Sequence, residues 1–431
     1  MKKKYIYVAL AFLLIFTSCS NLFANMGGEK KEVELPKTAD KKSKEEKKSK
    51  AKNKGDQKNR EKQSEDNKGI INEETEDEKE LAKTIRIKAF GDIIFHKPQC
   101  KYANAIAGGG EKWDFRPQFE YIKDFLADAD FTIGNFEAPS RPGKPYEGYP
   151  IFNAPRDVFK VLKDIGVDVL TTANNHTLDM GVEGIRTTLD GIEQAGLKSV
   201  GTRRSSKDKD YLIYNVKGID IAVLSYADHF NGLEPYLKTE EDKAMANTLN
   251  PEKIKKDIEE MRKKADLVLV YPHWGEEYRQ DPTQAQVKLA RNMVEWGADL
   301  VIGNHPHIVE PAEWYRAKDG RRGFIAYACG NFISNQRLET LDMIRPEQGV
   351  CFEIEVTKDP NRGNKTTVDK VINHPLWVSR VMTDQGYKIQ TRLAKEYLEG
   401  GKRAGELKGD DLDRVKKAYD MTMEILGRKV N

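Results

Sequence analysis

The stretch IGNHPHIVEP places His305 and His307 one residue apart, in a chain that holds 7 histidines. Pro306 restrains the backbone between them. Alternate positions of an extended chain face the same way, so the pair is a candidate grip on a metal ion. Other residues able to do chemistry stand in comparable settings. They are Asp92 in GDIIFH, Asn135 and Glu137 in GNFE, Asn175 and His176 in ANNH, and His273 in YPHWG. Imidazole nitrogen mixed with carboxylate and amide oxygen suits Mn, Fe, Zn or a similar divalent ion. No cysteine belongs to the set, which argues against a Cys-rich structural zinc site. Each residue also has an ordinary reading. A Gly-Asp pair at 91–92 suits a turn. Asn175 suits a cap for the helix that follows it. His176 suits a hydrogen-bonded loop position, and His273 a ring contact with Trp274.

The elements that must position these residues favour the joint reading. IRIKAF, FTIGNFE, VDVLTTANNH, IDIAVLSYADH, ADLVLVYPHWG and ADLVIGNHPH read as strands that end in polar residues. Apolar residues recur at helical spacing over 116–128, PRDVFKVLKDIG, 181–196, 251–264 and 283–296. Such alternation predicts a layered α/β domain with a substantial parallel component. In such sheets, ligands bind in the crevice beyond the carboxyl ends of the strands. Every residue of the candidate set falls there. Separate loop hydrogen bonds explain any one of them well and the whole set poorly.

The rest of the chain sets bounds. It has 431 residues, 33% charged and 38% hydrophobic, with a formal net charge of +3. That balance is polar for a folded domain and gives no reason to expect a nucleic-acid partner. Residues 1–19 read as an export signal: basic residues 2–4, an apolar run over 5–16, then Thr17, Ser18 and Cys19. The run is short for a membrane span. Small residues before a cysteine resemble a bacterial lipobox, which makes Cys19 the expected lipidation site. This predicts attachment to the lipid bilayer at the extracytoplasmic face of the cell membrane. Residues 20–83 are rich in Lys, Glu, Asn and Ser and poor in large apolar side chains. They are expected to form a disordered tether. Residues 84–345 form the expected main domain. Residues 346–431 are an expected extension of the same fold, with CFEIEVTKD as a strand and about 392–428 helical. Cys100, Cys329 and Cys351 lack CxxC spacing and suggest no disulfide framework.

The motifs GDIIFHKPQ, DFTIGNFEAP, GYPIFNAP, TTANNHTLDMGVEGI, YPHWGEEY, GADLVIGNHPHIVEP and CGNFISNQ occur in this order over about 84–340. Together they resemble the CapA or PgsA family of poly-γ-glutamate capsule synthesis. That family is similar to the calcineurin-like metallophosphoesterases. The resemblance implies a four-layer α/β/β/α sandwich with a two-metal centre at its strand ends. It implies Asp92 and His307 as ligands of one metal, and Asn175, His273 and His305 as ligands of the other. Glu137 stands where a bridging carboxylate is expected, in place of the usual aspartate. His176 stands where a histidine assists the leaving group. Asn135, Asn153 and Asn331 are implied substrate contacts, with Gln336 beside them. His96 and His229 are open between substrate contact and loop structure, and His374 is expected to be structural. The superfamily's first motif has a histidine two residues after its aspartate. Here that position is Ile94, and the histidine comes at 96, so the first metal is expected to be weak, differently held or missing.

One or two divalent ions, Mn, Fe or Zn, are therefore expected per chain. Two such ions about 3.5–4 Å apart would activate a water and stabilise charge on a phosphoryl or carbonyl group. His176 would protonate the leaving atom, a task suited to an imidazole. No GxxxxGK[ST] sequence and no serine nucleophile elbow is present. The chain is thus not expected to polymerise glutamate on its own. Two functions stay open. One is a membrane-anchored capsule biosynthesis or export protein that handles an anionic polymer such as poly-γ-glutamate beside membrane capsule-synthase subunits. The other is a metal-dependent phosphoesterase or amide hydrolase acting on a cell-envelope substrate.

Overall fold

Runs such as FTIGNF and LVLVYPH are apolar on both alternations, which suits strands covered on both faces. In the computed structural model, which describes residues 81–430, they are central strands of two sheets. The signal, Cys19 and nearly all of the tether lie outside the described residues. The strands run in order as β1 Lys83–Ile93, β2 Phe131–Phe136, β3 Val169–Thr171, β4 Lys198–Val200, β5 Leu212–Val216, β6 Ile219–Ala227 and β7 Leu267–His273. They continue as β8 Leu300–Ile302, β9 Ala312–Arg316, β10 Arg322–Ala326, β11 Asn331–Ile333, β12 Gln348–Asp359, β13 Lys365–Thr383 and β14 Gly386–Leu393.

The 8-stranded sheet has the order β14-β13-β12-β1-β2-β3-β4, with β11 also pairing with β1. Strands β1 to β4 are parallel, and β12, β13 and β14 add an antiparallel meander to β1. The 6-stranded sheet has the order β5-β6-β7-β8-β10-β9, parallel from β6 to β10. Between the sheets lie Ile85, Ile87 and Ile133 of one and Ile221, Leu269 and Ile302 of the other. The outer face of the first sheet packs Phe90 and Phe136 against Phe159 and Leu162 of the helix Asp157–Asp164. The outer face of the second packs Val268, Val270 and Val301 against the helices Pro251–Met261 and Gln284–Trp296. The layers are therefore helix, sheet, sheet, helix, as the resemblance implies.

Local chemistry sets the boundaries of these elements. Asn250 caps the helix Pro251–Met261 by accepting from the Lys253 N–H at 3.0 Å, and Pro251 fits the first helical position. Thr283 caps Gln284–Trp296 through the Gln286 N–H at 3.2 Å. Two expectations need correction. The stretch 116–128 is a 3-10 turn at Arg116–Gln118 and a short helix at Lys123–Ala127. The break between them falls at Phe119, whose φ of −116° and ψ of 9° leave the helical region, while Pro117 sits in the first turn, where proline is tolerated. Its apolar residues Phe119, Ile122 and Leu126 are nevertheless buried. The stretch 392–428 is helical at a short 3-10 turn, Ala394–Tyr397, and at Gly409–Leu426. Residues 386–393 form β14, and left-handed glycines at 400 and 405 (φ 77° and 86°) interrupt the chain between.

Two contacts hold the strand ends that carry the candidate set. The Tyr271 hydroxyl of β7 donates to the Phe90 carbonyl of β1 at 2.8 Å, tying one sheet to the other. The Asp92 N–H donates to the Gly330 carbonyl at 3.1 Å. A Cβ on Gly91 would lie 1.8 Å from that same carbonyl oxygen, so only glycine lets the two chains close here.

Candidate metal centre

The ends of β1, β2, β7 and β8 and the turn after β3 bring the candidate set into one buried cluster. Two groups of side chains have ligand atoms within 4.8 Å of one another: Asp92, Glu137 and His307, and Glu137, His273 and His305. Glu137 is common to both. Its Oε1 lies 3.6 Å from His307 Nε2 and 3.8 Å from His273 Nε2. His307 Nδ1 lies 3.2 Å from Asp92 Oδ2. His305 Nδ1 faces His273 Nε2 at 3.2 Å, and Asn175 Oδ1 approaches the same nitrogen at 3.0 Å.

This cluster fits cations. Asp92 and Glu137 are both 0% exposed, and their ion-pair partners among the described residues are all histidines. Two carboxylates buried without Lys or Arg carry a large desolvation cost unless a cation offsets it. Glu137 Oε1 is buried with no hydrogen-bond partner. Burial, followed by the charge of Asp92, holds the Glu137 carboxyl well above its ordinary range. Burial, then the neighbouring imidazoles, holds His273 and His305 well below theirs. Neutral imidazoles keep their lone pairs for ligation. The donors are oxygen and nitrogen, a set for Mn, Fe or Zn.

Several alternatives raised by the sequence now separate. The His-Pro-His segment is not extended: φ is 103° at His305 and 59° at His307. The two imidazoles therefore do not grip one ion from the same side; each joins a different group. Positive φ at non-glycine residues costs of order 1–3 kcal/mol each, strain that the surrounding contacts must hold. Asn175 is not a helix cap, since the following helix Gly181–Gln194 has Met180 at its cap. His273 pairs with the His305 ring at 4.8 Å, while Trp274 donates to the Tyr327 carbonyl on the other face. Ile94 is buried in the outer core, and His96 does not take over the missing ligand place. His96 instead accepts from the Asn335 N–H at 3.3 Å and meets the Phe152 ring.

The residues assigned to substrate divide in the same way. Asn135 is buried among the ligands, donating to Asp92 Oδ1 at 2.8 Å and reaching Glu137 Oε2 at 3.4 Å. It orients carboxylates and offers no surface to substrate. Asn153 is 0% exposed, and its amide is consumed by its own loop, by the Arg141 N–H and by the Arg141 and Pro145 carbonyls. Asn331 is also buried and donates to Gln336 Oε1 at 2.9 Å and to the Pro346 carbonyl. In the structure all three are buried and hydrogen-bonded to their neighbours. His229 is half-buried, with its ring 5.3 Å from that of His305, so it can reach a ligand. His374 pairs with Glu353 at 3.3 Å in β13, apart from the cluster.

Two neighbours were not read from the sequence. Asp179, whose side chain is fully buried, lies 2.8 Å from His176 Nδ1 and holds that ring with Nε2 free. The spacing HTLD, three residues apart in a turn, was the available signal. Tyr278 stands with its ring 6.0 Å from that of His307, and its hydroxyl accepts from Gln336 Nε2 at 3.0 Å. It closes the motif YPHWGEEY, which was the available signal.

A family model described as bacterial capsule synthesis protein PGA_cap matches residues 86–336, more than half of the chain. The chain belongs to this capsule synthesis family. Among proteins similar to it is "Capsule biosynthesis protein CapA" of Bacillus anthracis, 34% identical over 228 residues, which cover 51% of this chain and 54% of that protein. Another is "PGA biosynthesis protein CapA" of Bacillus subtilis, 35% identical over 228 residues, covering 51% and 57%. The chain thus spans about half the length of these relatives. Among solved structures, the sulfate thiohydrolase SoxB of Thermus thermophilus aligns at 11% identity and a TM-score of 0.35, over 77% of this chain and 59% of that one.

One further buried carboxylate follows the His-Pro-His segment in the chain. Glu310, three positions after His307, is buried and has one oxygen without a partner; Gln286 donates to the other at 3.2 Å. Burial pushes its carboxyl up to about 8. A raised native value means the folded state holds a proton that the unfolded state has released. Stability is then full below the ordinary carboxylate range and is lost as pH rises toward 8. Glu310→Gln is expected to match the parent near pH 5. At pH 8.5 it is expected to be more stable, on the order of 2 kcal/mol. Thermal melts at both pH values check this, and an equal gap at the two would refute it.

Proposed function

We propose that this chain is a membrane-anchored, extracytoplasmic protein of poly-γ-glutamate capsule biosynthesis or export, carrying a divalent-metal centre of metallophosphoesterase type. The observation that carries the reading is Glu137 shared between two buried ligand groups, within a chain of the capsule synthesis family. Asp92, Glu137 and His307 would hold one ion, and Glu137, Asn175, His273 and His305 the other. Bound divalent ions supply Lewis-acid polarisation of a phosphoryl or carbonyl oxygen. Asn135 fixes both carboxylates, and Asp179 fixes His176 with Nε2 ready to hold or deliver a proton. His229 stands where it can contact a bound ligand. Lipidation at Cys19 and membrane synthase subunits as partners belong to this proposal.

The His176–Asp179 pair favours a second reading within the same site, a metal-dependent phosphoesterase or amide hydrolase acting on a cell-envelope substrate. A non-catalytic polymer guide has no need of a carboxylate-oriented histidine beside the ligands. The first reading is tested in cells lacking this chain. Wild-type protein is expected to restore surface polyglutamate, and His305→Ala, His307→Ala is expected to leave it near background. Full restoration by the double variant at equal protein level would overturn the role of the centre.

A further inference from the structure

Strands β7 and β8 present their carboxyl ends to the metal-binding groups. Their opposite ends open on a cleft of about 410 Å³, between the edge of the second sheet and the start of β13. At about 3.3 Å per residue, the length of β7 alone separates the two by roughly 20 Å. The cleft is lined by Arg262, Arg316, Arg321, Arg322 and Lys365. Some of this charge is balanced. Arg262 pairs with Asp299 at 2.6 Å, and Arg321 with Asp319 at 2.6 Å. Asp266, also in the lining, is taken by Lys358 at 2.8 Å. Arg316, Arg322 and Lys365 have no acidic partner among the described residues, and all are exposed.

The placement of the two arginines is costly. Arg316 and Arg322 are direct cross-strand partners in the β9–β10 pair, so their side chains share a face. Like charges directly opposite one another destabilise a sheet. The Arg322 guanidinium carbon lies 4.1 Å from the centre of the Trp314 ring, a cation–π contact that holds it at the cleft. A like-charge pair, one member of it held against an aromatic ring, describes a site that an anion would complete.

We propose that this cleft binds an oligocarboxylate chain. The cations of the cleft come from different strands, Arg316 from β9, Arg322 from β10 and Lys365 from the start of β13, and this spread matches several single charges along a chain. The guanidinium fork matches carboxylate oxygens in a bidentate manner. That the chain is polyglutamate rests on the function proposed above. The cleft would hold the polymer at a point remote from the metal centre.

The test measures binding of a short γ-linked oligoglutamate to the full chain by calorimetry. Wild type is expected to bind with an affinity that falls as salt rises. Arg316→Glu, Arg322→Glu is expected to weaken binding by about tenfold or more. Arg316→Glu alone gives the sharper outcome, because it converts a repulsive pair into an attractive one: the melting temperature should rise while binding falls. A merely structural pair would not separate the two readouts. His305→Ala, His307→Ala is expected to bind the oligomer like wild type. Wild-type affinity in the arginine variants would overturn the proposal, as would tighter binding of tripolyphosphate than of oligoglutamate. Loss of binding only in the histidine variant would overturn the cleft and leave the metal-centre reading intact. Loss only in the arginine variants, with a capsule restored by the histidine variant, would uphold the cleft and overturn that reading.

Discussion

Full-length protein carrying His305→Ala and His307→Ala is expected to emerge from purification without the divalent metal that the parent retains. Each substitution removes one imidazole from a different group, so neither group keeps its three close donors. What survives is Asp92 with Glu137 on one side, and Glu137 with His273 and the Asn175 amide on the other. Loss of partners that only orient a ligand already weakens metal sites by about 10–100-fold. Removing the ligand itself should exceed that at each site. Elemental analysis after dialysis reads the outcome directly. A second readout is thermal stability with added Mn or Zn. Binding to the folded state alone raises stability with ligand concentration, so the parent melt should climb and the double variant should stay flat. Metal content in the double variant equal to that of the parent would sink the assignment of all the ligands named here.

His176→Ala should act differently. This residue belongs to neither close ligand group, so metal content is expected to stay at the parent level. Its ring is held by Asp179 at 2.8 Å and packs edge-on against Phe152 at 4.6 Å, which leaves Nε2 as the working atom. A positioned proton donor contributes about 10²–10⁴-fold to rate. Cleavage of a phosphodiester or of an amide-linked polymer should fall by that factor. Asp179→Asn should lower it in the same direction and to a smaller extent, since it loosens the ring without removing it. Parent-level cleavage by His176→Ala would end its role as leaving-group acid. A metal-loaded parent with no turnover on either substrate would move the balance to the assembly role.

Much of the fold was legible because parallel central strands are covered on both faces. Such strands read as continuous apolar runs, and VDVLTT, LVLVYP and LVIG are of that kind. The antiparallel additions were harder. β13, from Lys365 to Thr383, is long, half-buried and interrupted by Pro375, so no apolar run marks it. The helical spacing over 116–128 was real as burial, since Phe119, Ile122 and Leu126 do point inward. The backbone nevertheless leaves the helix at Phe119. Glycines interrupt the carboxyl-terminal stretch.

The candidate centre shows the same division. By itself the sequence determined that Asp92, Glu137, Asn175, His273, His305 and His307 follow strands of one layered domain. Strand order in a parallel sheet then obliges those ends to face one crevice. It determined the donor types, and hence the class of ion. Only the tertiary structure decided which donors meet. His305 and His307 lie more than 200 positions from Asp92, with contacts at separations of 213 and 215 residues. Their division between two groups follows from positive φ at both residues, a torsion that no residue pattern announces for histidine. The sharing of Glu137, the withdrawal of Asn135, Asn153 and Asn331 from the surface, and the arrival of Asp179 beside His176 were settled in the same way. Residue type limits what a side chain can do, and the hydrogen bonds and burial around it decide which of those things it does.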